Sequence, residues 1–179
     1  MLMYFTLSKF MTVIAAIKTD DRIIFAHDSL ATSGDRIIND NNMTLSKLWQ
    51  QNNLTVGHSG QCVFDTLMRI FAKTHVPKSA CEDGMVEFLI EYVNLCQSKY
   101  NVGIPTSSFL IAFQDQLFRV YGGIDVYKVE KFDAIGAGAD FAQAALLLGK
   151  TAEEAAEVSC QLSNYCAPPV KVVEHFYNK

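Results

Sequence analysis

The sequence predicts an α+β protein folded as a four-layer αββα sandwich, and three observations predict it. The elements come in blocks: strands, two helices, strands, two helices, and a last strand. The helical stretches carry apolar residues at helical spacing or are rich in alanine and leucine, so each has a face to bury. Half of the 179 residues are apolar and the mean hydropathy is slightly positive, which is rich for a free monomer. Two sheets packed face to face, each covered outside by a helix pair, would bury every stripe. A chain of this length makes one domain and buries about 70% of its unfolded surface.

The elements follow in order. Thr12 opens T-V-I-A-A-I-K, and I-I-F-A-H-D ends at Asp28; the polar T-D-D-R between them makes a hairpin, although its turn lacks glycine. A loop, S-L-A-T-S-G, leads to a short strand at 36–38. The polar N-D-N-N precedes a strand over 45–49, and Q-Q-N-N turns into another at 54–57. His58-Ser59-Gly60 ends that strand and starts a helix with Val63, Leu67, Ile70 and Phe71 at helical spacing. The next helix is marked by Ser79 and Glu82 as a capping box and by a stripe of Met85, Phe88, Leu89, Tyr92, Val93 and Cys96. The runs F-L-I-A-F and L-F-R-V-Y form a strand pair, and 126–129 with 132–135 a further pair. G-A-G-A-D at 136–140 opens a third helix that Gly149 stops; Thr151 and Glu154 cap a fourth, running to about Tyr165. Pro168-Pro169 breaks it before a final strand over 170–176. Repeats, linkers and low-complexity tracts are absent.

Composition excludes several function classes. The net charge of −4 and scattered Lys and Arg leave no footprint for nucleic acid. The five cysteines (62, 81, 96, 160 and 166) are odd in number and lack metal-ligand spacing, so they read as reduced, mostly buried thiols of a cytoplasmic protein. The first 17 residues lack a basic start, and Lys9 interrupts their apolar stretch, which argues against a signal peptide. No segment has 18 consecutive apolar residues, so no membrane-spanning helix is expected. No nucleotide-binding loop and no metal-ligand set is present, so no cofactor is expected in the chain itself.

The chemistry sits at the start of the first strand. Threonine attacks well only when a base takes its proton, and a free α-amine on the same residue can be that base. The amine's ordinary pKa of roughly 8 suits neutral pH far better than a lysine's of roughly 10. Met11 directly precedes Thr12, so either a start at Met11 or removal of a leader over 1–11 makes Thr12 the first residue of the mature domain, 12–179.

The chain resembles the proteasome β-type subunits, above all the bacterial HslV-type threonine peptidases, a group of N-terminal-nucleophile hydrolases. The resemblance runs from Thr12 to the end. It is carried by T-V-I-A-A-I, A-H-D-S-L-A-T-S-G, S-K-L at 46–48, G-H-S-G at 57–60 and I-G-A-G-A-D-F-A-Q-A-A at 135–145. It implies Thr12 as nucleophile, Lys47 beside it as a tuning charge, Asp28 holding Lys47, and the Gly60 amide as oxyanion donor. It also implies a homo-oligomeric ring, two rings stacked, acting on unfolded polypeptide, with ATP used only by a separate AAA+ unfoldase. Ala31 and the residues after Gly60 would line the specificity pocket. His27 and His58 flank the site without a role in that mechanism.

Three departures qualify the resemblance. Ala137 stands where the family loop carries a serine, and Gln161 stands near the position of the aspartate that orients it. Met11 replaces the glycine that precedes a self-cleaving threonine, so self-cleavage is not expected. The missing pair keeps a second reading open, a catalytically silent scaffold subunit of the same ring. A single-substrate amidohydrolase on this fold is a third, opposed by the short chain without insertions.

Overall fold

The computed structural model describes residues 11–33, 36–38 and 46–177. In chain order the elements are β1 (Val13–Lys18), β2 (Arg22–His27), β3 (Ala31–Ser33), β4 (Arg36–Ile38), β5 (Leu48–Gln51), β6 (Leu54–Ser59), α1 (Cys62–Phe71) and α2 (Glu82–Ser98). They continue as β7 (Ser108–Phe113), β8 (Gln116–Tyr121), β9 (Asp125–Val129), β10 (Phe132–Gly136), α3 (Ala139–Leu147), α4 (Ala152–Leu162) and β11 (Lys171–Phe176). One antiparallel sheet has the order β10-β1-β2-β11 and the other β5-β6-β7-β8-β9, with β3 and β4 forming a separate ribbon. This is the αββα sandwich expected from the sequence.

The period-2 alternation of the strands divides the apolar residues among three cores. From β1, Ile14 and Ala16 point between the sheets, where they meet Phe25, Leu48, Leu110, Leu117 and Ile135. Val13 and Ala15 point outward beneath α3 and α4, against Ala142, Ala145, Ala155 and Ala156. The small residues of that layer let the helix pair lie close over the start of β1. The third core is larger: Phe109, Ile111 and Phe118 pack against Phe64, Met68, Phe88 and Tyr92 of α1 and α2. Tyr92 is fully buried and its hydroxyl donates to the Phe64 carbonyl at 2.7 Å, tying the two helices together.

Turn chemistry explains how the hairpins close. Thr19 replaces the expected glycine by using its hydroxyl: Oγ1 donates to the Arg22 carbonyl at 2.8 Å and accepts from the Arg22 amide at 3.3 Å. Asn52 and Asn53 both adopt positive φ, 50° and 61°, which joins β5 to β6 through a two-residue turn that matches the strand twist.

Five sequence expectations are corrected. The runs over 126–129 and 132–135 are strands but not partners: β9 pairs with β8 and β10 with β1, and Glu130-Lys131 carries the chain between sheets. On α1 the buried stripe is Phe64, Leu67, Met68 and Phe71, while Val63 and Ile70 are exposed; burying Phe64 and Met68 turns the helix one residue from the expected face. The N-cap of α2 is Cys81, whose sulfur accepts from the Gly84 amide, and the Ser79 hydroxyl meets that sulfur instead of a helix amide. The thiols were expected to be mostly buried, but only Cys96 and Cys166 are; Cys160 is half-buried and Cys62 and Cys81 are exposed, all five being free. The Thr151–Glu154 capping box forms in full, but α4 ends at Leu162, three residues early. Gly34 and Leu45 lie outside the described residues, as does the leader up to Phe10. Among the described residues no helix is long and apolar enough to cross a membrane.

Candidate active site

Asp28 directly follows β2 with no exposure to solvent, and its carboxylate gathers Val13, Leu30, Lys47 and Ala167. Oδ1 accepts from the Val13 amide at 2.9 Å and from Lys47 Nζ at 2.6 Å. Oδ2 accepts from the Leu30 amide at 3.0 Å and the Ala167 amide at 3.2 Å. A buried carboxylate so satisfied is a rigid anchor, because losing any partner would leave charge unpaired in low dielectric. Its effect is to hold Lys47 at the start of β1. From there Lys47 Nζ also donates to the Met11 carbonyl at 3.1 Å, the same oxygen that receives the Thr12 hydroxyl. Lys47, Asp28 and Thr12 therefore converge on the peptide bond between Met11 and Thr12.

The loop between β10 and α3 wraps the other side of Thr12. The Gly138 amide donates to the Thr12 carbonyl at 3.1 Å, and Val13 lies opposite Gly136 in the β1–β10 register. Gly136 has φ +98°, and an added Cβ would overlap the Thr12 carbonyl. Gly136→Ala is therefore expected to destabilise the protein by about 1–3 kcal/mol and to displace Thr12. Thermal unfolding measures the first effect. Loss of reaction at Thr12, out of proportion to the change in Tm, measures the second.

Gly60 stands at the end of β6, two residues after His58, whose amide donates to the Lys47 carbonyl at 3.0 Å. It therefore lies at the same end of the sandwich as Lys47. Its φ of +141° suits glycine, and Ser107 packs against its Cα so closely that any side chain would collide. Ser107 is buried, and its hydroxyl has no partner among the described residues. Gln61, Cys62 and Val63, which follow Gly60, are all exposed at the mouth of this turn. Ala31 begins β3, three residues after Asp28, and is half-buried.

Ala137 occupies the middle of the loop that wraps Thr12, so no hydroxyl is available there. Gln161, expected to face this loop, is instead exposed in the last turn of α4. The α4 side chain that reaches the loop is Ser159, fully buried, donating to the Gly138 carbonyl at 2.9 Å. Sequence reasoning missed Ser159, Ala167 and Ser107. Ser159 carried a signal, since it shares the buried helix face with Ala152, Ala155 and Ala156; the other two carried none.

Burial favours the neutral forms of Cys160, Cys166, His27 and His58. Burial, reinforced by the Asp28 charge, pushes the Cys166 thiol up to about 12 and the Cys160 thiol up to about 11, so neither is a nucleophile at neutral pH. Burial lowers His27, although its Nδ1 bonds the Asp28 carbonyl at 2.7 Å. Burial also pushes His58 down to about 4, against an opposing pull from Asp65. A histidine kept neutral in the fold but charged in the unfolded chain contributes stability above its unfolded pKa of about 6.5, lost as pH falls toward 4. Urea unfolding should thus show stability dropping across that window by on the order of 3 kcal/mol for His58 alone. His58→Phe, which keeps the tilted ring contact with Phe109, should flatten the slope.

The fold is a four-layer αββα sandwich, and solved structures share it. They superpose on nearly the whole chain. A BPH from Thiobacillus denitrificans, in complex with epoxomicin, has a TM-score of 0.82 at 17% identity, covering 93% of this chain and all of its own. HslV from Trypanosoma brucei has 0.68 at 17%, covering 92% of this chain and 99% of its own. Anbu, an ancestral beta-subunit from Yersinia bercovieri, has 0.64 at 16%, covering 92% and 81%. No family profile and no curated protein matches the chain by sequence.

Proposed function

We propose that this chain is a threonine peptidase subunit of a self-compartmentalising ring that degrades unfolded polypeptide. The single observation that carries the reading is that Lys47, held by Asp28, and the Thr12 hydroxyl both donate to the Met11 carbonyl, beside the nitrogen that would become the base. Once Thr12 is the first residue, its amine takes the hydroxyl proton while Oγ1 attacks the scissile carbonyl. The Lys47 charge favours the neutral amine and the developing alkoxide, and Asp28 keeps that charge in place. The Gly60 amide, just before α1, donates to the oxyanion, a contact worth about 3–4 kcal/mol of barrier. The proton then passes to the leaving amine, and water attacks the Thr12 ester to release the acid. With the leader attached, the amine is an amide and cannot serve as base, so the unprocessed chain is inactive.

A ring is supported by the likeness to HslV and by apolar side chains left at the surface, Leu147 and Leu148 of the α3 end above all. The ring is stacked in two and fed by an AAA+ unfoldase that supplies the ATP step; the chain acts in the cytoplasm with no cofactor of its own. Ala137 favours the second reading, a silent scaffold subunit, because the loop around Thr12 lacks a hydroxyl to hold the amine. The two are separated by turnover of a fluorogenic peptide by processed protein whose assembly is measured in parallel by light scattering. A particle of twelve or more subunits with Thr12-dependent turnover is expected, on the order of the double rings named by the resemblance. A ring without turnover supports the scaffold, and a monodisperse monomer removes both.

A further inference from the structure

Ser46 and Lys47 precede β5 outside any regular element, and among the described residues the Lys47 ammonium bonds Asp28 and the Met11 carbonyl. What fixes its backbone comes from α1. Arg69, in the last turn of that helix, donates through Nη2 to the carbonyl of Ser46, the residue before Lys47. Its Nε is paired with Asp65 Oδ2 at 2.7 Å, one helical turn back. Asp65 uses its other oxygen, Oδ1, to accept the indole N–H of Trp49 at 2.7 Å, two residues after Lys47. The guanidinium lies 5.3 Å from the Trp49 ring centroid, and Trp49 itself is buried. Two side chains of one helix therefore grip the chain on both sides of Lys47, and the His58 amide of β6 holds the Lys47 carbonyl at 3.0 Å.

The helix that makes this grip also begins directly after Gly60. A planar guanidinium with donors on two edges can satisfy Asp65 and the Ser46 carbonyl together, and it stacks on an indole as well. We propose that Arg69, oriented by Asp65, is a positioning residue for Lys47: α1 locks the lysine's backbone relative to the Gly60 turn, so that the charge beside Thr12 and the oxyanion donor keep a fixed separation. This rests on the peptidase reading for its catalytic consequence, but the geometric claim stands without it. A misplaced charge costs transition-state stabilisation while leaving substrate contacts elsewhere unchanged, so its signature is a fall in kcat, not a rise in KM.

The test compares processed wild type with Arg69→Met, which keeps the stem and loses the donors, and with Arg69→Lys, which keeps the charge but not the fork. Two quantities are read: kcat and KM on a fluorogenic peptide, and the rate at which an amine acetylating reagent modifies Lys47, followed by peptide mass spectrometry with Lys18 as internal reference. Thermal unfolding selects conditions in which all three proteins are folded. The expected result for Arg69→Met is a kcat lower by about tenfold or more, KM within about twofold, and Lys47 acetylated severalfold faster, with Arg69→Lys in between. Unchanged kcat, a change confined to KM, or unchanged Lys47 acetylation overturns the proposal. If wild type itself turns over no peptide, the peptidase reading fails, and the acetylation rate alone decides: faster modification in Arg69→Met supports the grip, and equal rates overturn it.

Discussion

Thr12→Ala is expected to eliminate peptide hydrolysis by the processed protein while leaving the sandwich intact. The side chain contributes one hydroxyl and one methyl at the start of β1, and its hydroxyl bonds only the neighbouring Met11 carbonyl among the described residues. Lys47→Ala should lower kcat by on the order of 10³-fold or more, since nucleophile and tuning charge act as one unit. The two variants differ in stability. Removing Lys47 leaves the Asp28 carboxylate buried with three amide donors and no cation, a loss expected to cost about 3 kcal/mol. Thr12→Ala should cost about 1 kcal/mol or less. Steady-state kinetics with urea unfolding checks both. Thr12→Ala activity above a tenth of wild type would remove the nucleophile assignment.

The second large effect concerns the leader. Protein that retains residues 1–11 should turn over peptide at less than about 1% of the rate of protein whose first residue is Thr12, because the amine that must act as base is tied up in the Met11–Thr12 peptide bond. Lys47 Nζ then donates to that carbonyl, so the charge meant for the amine is spent on the leader. On the proposed mechanism, translation from Met11, with methionine removed before the small Thr12, would deliver the active form without self-cleavage. N-terminal sequencing identifies which form is present, and a fluorogenic assay gives the rates. Equal rates with the leader intact would contradict the mechanism.

Much of the sandwich was legible from local signals. Thr151 and Glu154 announce α4, and the alternation in F-L-I-A-F puts Phe109 and Ile111 on one face and Leu110 and Ala112 on the other. Partnership between strands was less legible. Phe132–Gly136 reads as a strand, but nothing local says that it crosses to lie beside β1, because that choice is made by the packing of α3 and α4 over Val13 and Ala134. At the site, Thr12, Asp28, Lys47 and Gly60 came from the order of family motifs, and the structure brings Thr12, Asp28 and Lys47 together with Gly60 at the same end of the sandwich. The supports escaped notice for a physical reason: the Ala167 amide, the Ser159 hydroxyl and the Arg69 guanidinium act from 21 to 139 residues away in the chain. Gln161 lies off the loop because the buried face of α4 runs through Ala152, Ala155, Ala156 and Ser159, which turns position 161 to solvent.

Covalent labelling tests the central claim most directly. Processed protein is incubated with epoxomicin, the compound bound by the Thiobacillus denitrificans neighbour, and intact mass and peptide mapping are recorded. The account predicts one adduct per chain, located on Thr12, formed at a rate that falls at least a hundredfold in Lys47→Ala and is absent in Thr12→Ala or with the leader in place. A processed chain that assembles into a ring, yet stays unlabelled at Thr12 by epoxomicin and by a second threonine-directed electrophile, would contradict it.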